Sequence, residues 1–394
     1  MNPLEMMEWE TIYKVTGLSF LVGIVFGAVV NKTNFCTMGA VSDWVNMGNK
    51  GRLRAWFLAI GIAILITQVM QFKGIIDLSE AIYLTPNFGW LGSLLGGFLF
   101  GVGMTLASGC ANRTLVRVGG GNLKSLVVMM VIGLTAYMTM RGVFSMVRIN
   151  VIEVTNVNLA DYGLADQGID TLVRSALGLD RPALVRGIVA ILVGAGLIIF
   201  AIKGNELKRS FDNMLAGVSI GLIIPAGWYI TGVVGFDDFE PLRLESYTFT
   251  GPTADSLMYL ETFSGSTISF GIAAVFGVIL GSFLYAILAG KFRLETFISQ
   301  GDMIRHMLGG VFMGFGGVLA LGCTIGQGIT GMSTLALGSL LALVSIIFGS
   351  ALTMKIDYYQ LDENGFFSSL RNALRDMRLF PVAKKRTEPG GPAL

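Results

Sequence analysis

Cysteine, histidine and charge are all scarce in this chain of 394 residues, and each shortage removes a class of function. There are three cysteines and one histidine. An odd thiol count rules out a complete set of structural disulfides, so at least one thiol is left over. A single histidine, His306, argues against a histidine-built metal site or a histidine proton relay. Charged residues make up 14% of the chain, against about 25% in soluble domains. The net charge is +2, without a dense lysine and arginine stripe, so no nucleic-acid partner is expected. Ten-residue alternation of apolar and polar residues is missing too, which excludes a transmembrane β-barrel. The first residues carry Glu5, Glu8 and Glu10. A secretory signal would be positive there, so no cleavable signal peptide is expected.

What remains is apolar. Hydrophobic residues form 53% of the chain, and the mean hydropathy is +0.68. A membrane span needs about 20 mostly apolar residues. Candidate spans fall near 11–31, 55–72, 90–109, 123–146, 183–202, 212–232, 265–289, 306–322 and 333–354. With barrels excluded, helices are the way to satisfy every backbone group in lipid. The expected fold is therefore an all-α polytopic membrane protein of about nine transmembrane helices, several short or broken. Its first partner is the lipid bilayer.

Basic groups recur on alternate loops: Lys50, Arg52 and Arg54; Arg113, Arg117 and Lys124; Lys203, Lys208 and Arg209; Lys291, Arg293 and Arg305; and the tail from Arg371 to Arg386. The opposite loops are acidic on balance, with Glu153, Asp161, Asp166 and Asp170, then Asp237, Asp238, Glu240, Glu245 and Asp255. The positive-inside rule then places the N-terminus outside and the C-terminus in the cytoplasm.

One stretch occurs twice. Gly96, Gly97, Gly101, Gly103, Leu106, Ala107, Gly109 and Cys110 recur, 213 residues on, as Gly309, Gly310, Gly314, Gly316, Leu319, Ala320, Gly322 and Cys323. A weaker match at an offset of 194 pairs Gly23 and Gly27 with Gly217 and Gly221, and would pair Cys36 with Ile230. Loop charge makes the two Gly-Cys helices run in opposite directions. That is the signature of two inverted repeats, an architecture of secondary transporters. The expected division is 1–148 as the first half, 149–181 as an outer loop, 182–204 as a connecting helix, 205–356 as the second half and 357–394 as a cytoplasmic amphipathic tail. Residues 237–264 are read as a second outer loop. The tail's last residues, Thr387–Leu394, are expected to be disordered.

Glycine accounts for 53 residues, about twice the usual share, and most of these serve helix packing. The Gly-Cys ends differ, because each is followed by polar or Gly-interrupted sequence: Ala111-Asn112-Arg113-Thr114 and Thr324-Ile325-Gly326-Gln327. Such backbone is tolerated at membrane depth where protein buries it or where it lines a wet cavity. Cys36 follows a third polar break that contains Asn34. A buried cysteine is ordinarily a small hydrophobe. Here all three thiols stand at breaks, so Cys36, Cys110 and Cys323, with Asn34, Asn112, Arg113, Thr324 and Gln327, are the candidate substrate path. The thiols could bind a soft metal, act as nucleophiles, or donate weak hydrogen bonds to a soft anion. Metal binding fits least well, since the 20 methionines fall mostly inside apolar runs. Trp228 and Tyr229, after Pro225, are read as interface-belt aromatics or as residues near a pore mouth, at a break in their span.

From Asn34-Phe35-Cys36 through Gly109-Cys110 to Gly322-Cys323-Thr324-Ile325-Gly326-Gln327-Gly328, the chain resembles the YeeE/YedE family of bacterial inner-membrane sulfur transporters. The resemblance implies an hourglass of inverted repeats in the inner (plasma) membrane. Thiosulfate, or another small sulfur or selenium oxyanion, would pass three thiols by S–H to sulfur contacts, with no catalytic residue, no metal and no cofactor. Cys323 would lie toward the outside and Cys36 and Cys110 further in. The residues after Cys110 resemble a subgroup linked to selenium metabolism, which makes a selenite-like species the alternative substrate. An intramembrane thiol sulfurtransferase and a docking partner for a soluble cytoplasmic sulfur-carrier protein are the remaining alternatives.

Overall fold

A computed structural model of the chain describes residues 3–178, 181–236, 242–360 and 365–377, with side chains from residue 11 onward. Asp237, Asp238 and Glu240, and the tail from Arg378 on, lie outside the described residues. The helices run in the order α1 (Pro3–Thr33), α2 (Thr37–Met47), α3 (Gly51–Phe72), α4 (Gly97–Leu106), α5 (Ala111–Gly119), α6 (Leu123–Met140), α7 (Ser145–Val147) and α8 (Ile169–Leu177). Then come α9 (Pro182–Ile202), α10 (Asn205–Lys208), α11 (Phe211–Tyr229), α12 (Thr250–Glu261), α13 (Phe270–Leu288), α14 (Gln300–Leu319), α15 (Leu337–Gln360) and α16 (Phe366–Asp376). Two short strands, β1 (Asn87–Phe88) and β2 (Val157–Asn158), pair antiparallel. The protein is thus an all-α polytopic membrane protein.

Among the described residues, eight helical stretches are long and apolar enough to cross a membrane. Nine were expected. The missing one, 306–322, is the body of α14, whose glycines together with Asp302, Arg305 and His306 lower its hydropathy. It still packs along α4 and α6 like its apolar neighbours. Two further expectations change. Residues 237–264 are not simply a loop, because Thr250–Glu261 forms α12, buried through Thr250, Pro252, Thr253, Ala254 and Ser256. It is too short and too polar to register as a span. Pro225 does not break α11, which continues through a π-helical turn at Ile230–Val234. Neighbouring helices re-satisfy the backbone around such a proline. Residues 149–181 hold β2 and α8.

The packing repeats at the offset seen in the sequence. α4 lies on α15 with Gly97 at Ala342, and α14 lies on α6 with Gly310 at Val128. Where α4 crosses α14, the backbones touch. A Cβ on Gly96 would stand 2.7 Å from the Gly316 oxygen, and one on Gly103 would stand 2.6 Å from the Gly309 oxygen. The reciprocal approaches, Gly316 to Gly96 and Gly309 to Gly103, are 2.6 and 2.7 Å. Ascending numbers on one helix meet descending numbers on the other, so the two Gly-Cys helices are antiparallel. Only glycine, lacking a Cβ, permits this approach.

α6 and α14 fix the two faces of the molecule. Both start beside a cavity lined by Arg113, Arg117, Lys124, Lys291 and Arg293, and both end beside one lined by Arg148, Glu153, Arg243, Glu245 and Asp255. The 18 residues of α6 span about 27 Å, close to a bilayer's apolar thickness. The outer surface of α9 carries exposed Leu184, Ile188, Ile191 and Leu192, a lipid-facing stripe. At the chain's end, α16 buries Ser369 and Ala373 against the bundle and leaves Phe366 and Phe367 exposed.

Candidate functional site

Each of the three cysteines occupies the residue immediately before a helix. Cys36 precedes α2 and its carbonyl accepts from Ala40 N at 3.0 Å; Cys110 precedes α5 and accepts from Thr114 N at 2.9 Å. Cys323 precedes the helical turn running into Gly326–Gly331 and accepts from Gln327 N at 2.8 Å. The local cause is shared by two of them. α4 and α14 end on residues in the left-handed conformation, Ser108 (φ 55) and Leu321 (φ 58), 213 positions apart. A glycine follows each, then the cysteine. Asn34 (φ 54) makes the corresponding turn before Cys36. The position equivalent to Cys36 in the second half is Phe249, which precedes α12 and accepts from Thr253 N. The offset is again 213, so Ile230 is not its counterpart. The sequence match missed this because what the two positions share is a carbonyl that accepts the first bond of the following helix, not a residue type.

Neither Cys36 nor Cys110 caps its helix through the side chain. The free N–H groups of those first turns, with the helix dipole behind them, form a site that attracts anions. The Cys36 and Cys110 sulfurs are 3.7 Å apart. The Cys110 thiol donates to Asn112 Oδ1 at 3.2 Å. Since that oxygen is acceptor-only, the Cys36 thiol donates to the Cys110 sulfur, and the chain of S–H bonds has one direction. Thr324, the residue after Cys323, lies beside the Cys110 thiol. Cys323 itself meets Gly326 N at 3.4 Å and Thr248 Oγ1 at 4.0 Å. All three thiols are buried.

Asn112 and Thr324 are fully buried, yet Asn112 Nδ2 and Thr324 Oγ1 have no hydrogen-bond partner. A buried donor left unpaired costs about 1–3 kcal/mol. Both lie beside the Cys110 thiol. Gln327 donates to Ala320 O, and its Oε1 is unpaired. Arg113 is half-buried and donates to Asn34 Oδ1 at 2.6 Å. These two residues stand at the edge of the site toward the basic cavity rather than inside it.

Aromatic rings pack around the waist. Phe35 stacks on Trp56 with centroids 4.7 Å apart. Trp228 is fully buried and donates to Ser333 Oγ at 3.0 Å, so it is a core residue, whereas Tyr229 is exposed. Above the waist lies a cavity of about 690 Å³ that reaches Thr248, Gly322 and Gln327; below it, one of about 460 Å³ reaches Ser108 and Arg113. Sequence reasoning did not find Thr248, Tyr83, Trp56 or Arg243. None stands in a repeat or beside a cysteine in the chain. Among the described residues, no three of His, Cys, Asp and Glu cluster so as to hold a metal ion.

Residues 32–352 match the family model described as sulphur transport. The chain belongs to the sulphur-transport family. It is 29% identical over 349 residues to the thiosulfate transporter TsuA of Escherichia coli strain K12, an alignment covering 84% of this chain and 91% of that one. It is 28% identical over 338 residues to the TsuA of Spirochaeta thermophila, covering 85% and 96% respectively. As a sulphur-transport family member with eight membrane-length apolar helical stretches among its described residues, the chain is a multi-pass membrane transporter and not an enzyme.

Proposed function

We propose that the protein imports thiosulfate through the waist formed by Cys36, Cys110 and Cys323, from the cavity near Glu245 to the basic cavity near Arg113. The acidic-loop face is outside, the basic face is cytoplasmic, and the membrane is the bacterial inner membrane. One observation carries this reading: three thiols begin three helices in a buried waist, beside the unpartnered donors Asn112 Nδ2 and Thr324 Oγ1. An isolated anion in apolar surroundings is costly to bury. Here neutral donors and helix N-termini replace its water. Neutral thiols suit thiosulfate in particular, because an S–H group can meet the terminal sulfur as well as the oxygens. A soluble sulfur carrier would receive the anion at the basic cavity.

The test is uptake of labelled thiosulfate by cells that lack other sulfur-uptake routes, with unlabelled sulfite and selenite as competitors. Thiosulfate enters, and selenite, with no terminal sulfur, competes poorly. Selenite uptake without thiosulfate uptake would transfer the protein to the selenium reading. Arg113→Gln removes the bond to Asn34 and one positive charge of the lower cavity. Uptake at low salt is expected to drop roughly 3- to 10-fold, with a smaller drop at high salt, where the field is screened. Equal loss at both salt concentrations would show that Arg113 acts through structure alone.

A further inference from the structure

We infer that the cavity on the acidic-loop face takes in its dianion together with one proton, and that the Glu245 carboxyl is the group that holds it. This inference rests on the thiosulfate reading above and adds a co-transported ion to it.

The argument begins with the charges facing the cavity. They are Arg148 and Glu153 from the turns after α7, Arg243 and Glu245 from the segment before α12, and Asp255 from α12. Arg148 is committed: it pairs with Glu153 and donates to the carbonyls of Thr139 and Met140 at 3.1 and 3.2 Å. That leaves Arg243, with Arg141 acting on Asp255, against two carboxyls, Glu245 and Asp255. Glu245 has Arg243 as its cationic partner, shares it with Asp255, and the cavity must admit a doubly negative anion past it. Like charges sharing a partly desolvated space repel strongly. A proton on Glu245 removes the like charge that the anion would meet there.

Geometry selects Glu245. Its backbone is clamped at both ends by one side chain, since Thr231 Oγ1 accepts from Glu245 N at 3.2 Å and donates to Glu245 O at 2.7 Å. Ser246 Oγ donates to Ile224 O at 2.8 Å, and Tyr247 OH donates to Ser19 O at 3.1 Å. The backbone of the segment is therefore fixed to α1 and α11, and Glu245 is carried at a set place on the cavity wall. Three residues on, Thr248 forms the cavity floor beside Cys323. The anion's route to the first thiol passes this carboxyl.

Burial pushes the Glu245 carboxyl up to about 7; Arg243 pulls it down and Asp255 pushes it further up. Asp255 is also raised, again by burial, against the pull of Arg141 and Arg243. Tyr83, facing from the loop after α3, has its phenol held well above the ordinary range by burial and stays neutral. Beyond it lies the Cys323 thiol. The sign follows directly. Below about pH 7 Glu245 carries its proton and the dianion meets no extra charge; above it the carboxylate forms, and binding must bring a proton in. Affinity is therefore level on the acid side and falls by up to about tenfold per pH unit on the alkaline side.

The experiment is calorimetric titration of the purified full-length protein with sodium thiosulfate, in two buffers of different ionisation heat, between about pH 6 and pH 8.5. The wild type is expected to take up close to one proton per anion at the alkaline end, with affinity at least about tenfold weaker there than at pH 6. Glu245→Gln flattens the profile to within about twofold and abolishes proton uptake, whereas Asp255→Asn keeps the slope. Binding by the wild type without proton uptake overturns the inference, independently of any variant. A flat profile in Asp255→Asn with a sloping one in Glu245→Gln overturns the assignment to Glu245. Absence of thiosulfate binding at every pH overturns the import reading and this inference with it.

Discussion

Cys110→Ala is expected to lower thiosulfate uptake by at least about 100-fold at unchanged membrane abundance. A hydrogen bond to a charged partner contributes about 1.5–3 kcal/mol, and the substitution removes more than one interaction. The anion loses the central thiol. Asn112 Oδ1 loses the S–H that it accepts at 3.2 Å, and Cys36 loses the sulfur 3.7 Å away toward which it donates. Cys110→Ser separates donor strength from sulfur chemistry. The hydroxyl still donates, but it is smaller and does not match a soft terminal sulfur, so a loss of about tenfold is expected. Cys36→Ala and Cys323→Ala should each cost about tenfold, since each removes one thiol at one end of the series. Initial uptake rates, normalised to protein in the membrane, decide the matter. Alanine at Cys110 with wild-type rates would end the thiol-path idea.

The second large effect concerns the fold itself. Gly316→Val should destabilise the protein by about 3 kcal/mol and abolish a single symmetric elution peak in detergent. The Cβ of any residue at 316 would stand 2.6 Å from the Gly96 carbonyl oxygen. That neighbour is backbone in a helix, so no rotamer change relieves it. Gly103→Val should act alike, through the Gly309 oxygen. Gly17→Ala in α1 is the matched control. A Cβ there meets nothing within 4 Å, and alanine favours helix over glycine by about 1 kcal/mol. Thermal unfolding of the three variants side by side checks this. An ordinary melting curve for Gly316→Val would mean that the close α4–α14 crossing is absent.

Much of the architecture was legible because the membrane makes the code simple. Apolar length marks the spans, and the Gly-Cys repeat at an offset of 213 marks the crossing helices. The surroundings of the thiols were partly legible, since the polar breaks mark Cys36, Cys110 and Asn112, whose side chains meet, and Cys323, which begins its own helical turn. Other parts were hidden for definite reasons. Phe249 stands where Cys36 does, but a helix start needs a carbonyl to accept the first turn's bond and leaves the residue type free. Glu245 looks in the sequence like one more acid in a solvated loop. Its placement comes from Thr231, 14 residues away in sequence, and from helices contributed by both halves. α12 is too polar for a hydropathy scan, and α14 has too much glycine.

The α4–α14 crossing also bears on how the protein moves. Transporters of inverted repeats commonly rock one repeat against the other. A seam where carbonyl oxygens lie this close to facing glycines, at both ends of an antiparallel pair, offers no ridge to slide over and no slack to tilt into. Displacement of the whole half would drive backbone into backbone. Gating is then left to side chains that can turn in place. Side-chain rotations are orders of magnitude faster than domain motions, so the rate of passage should be set by desolvation of the anion and its hand-over between sulfurs.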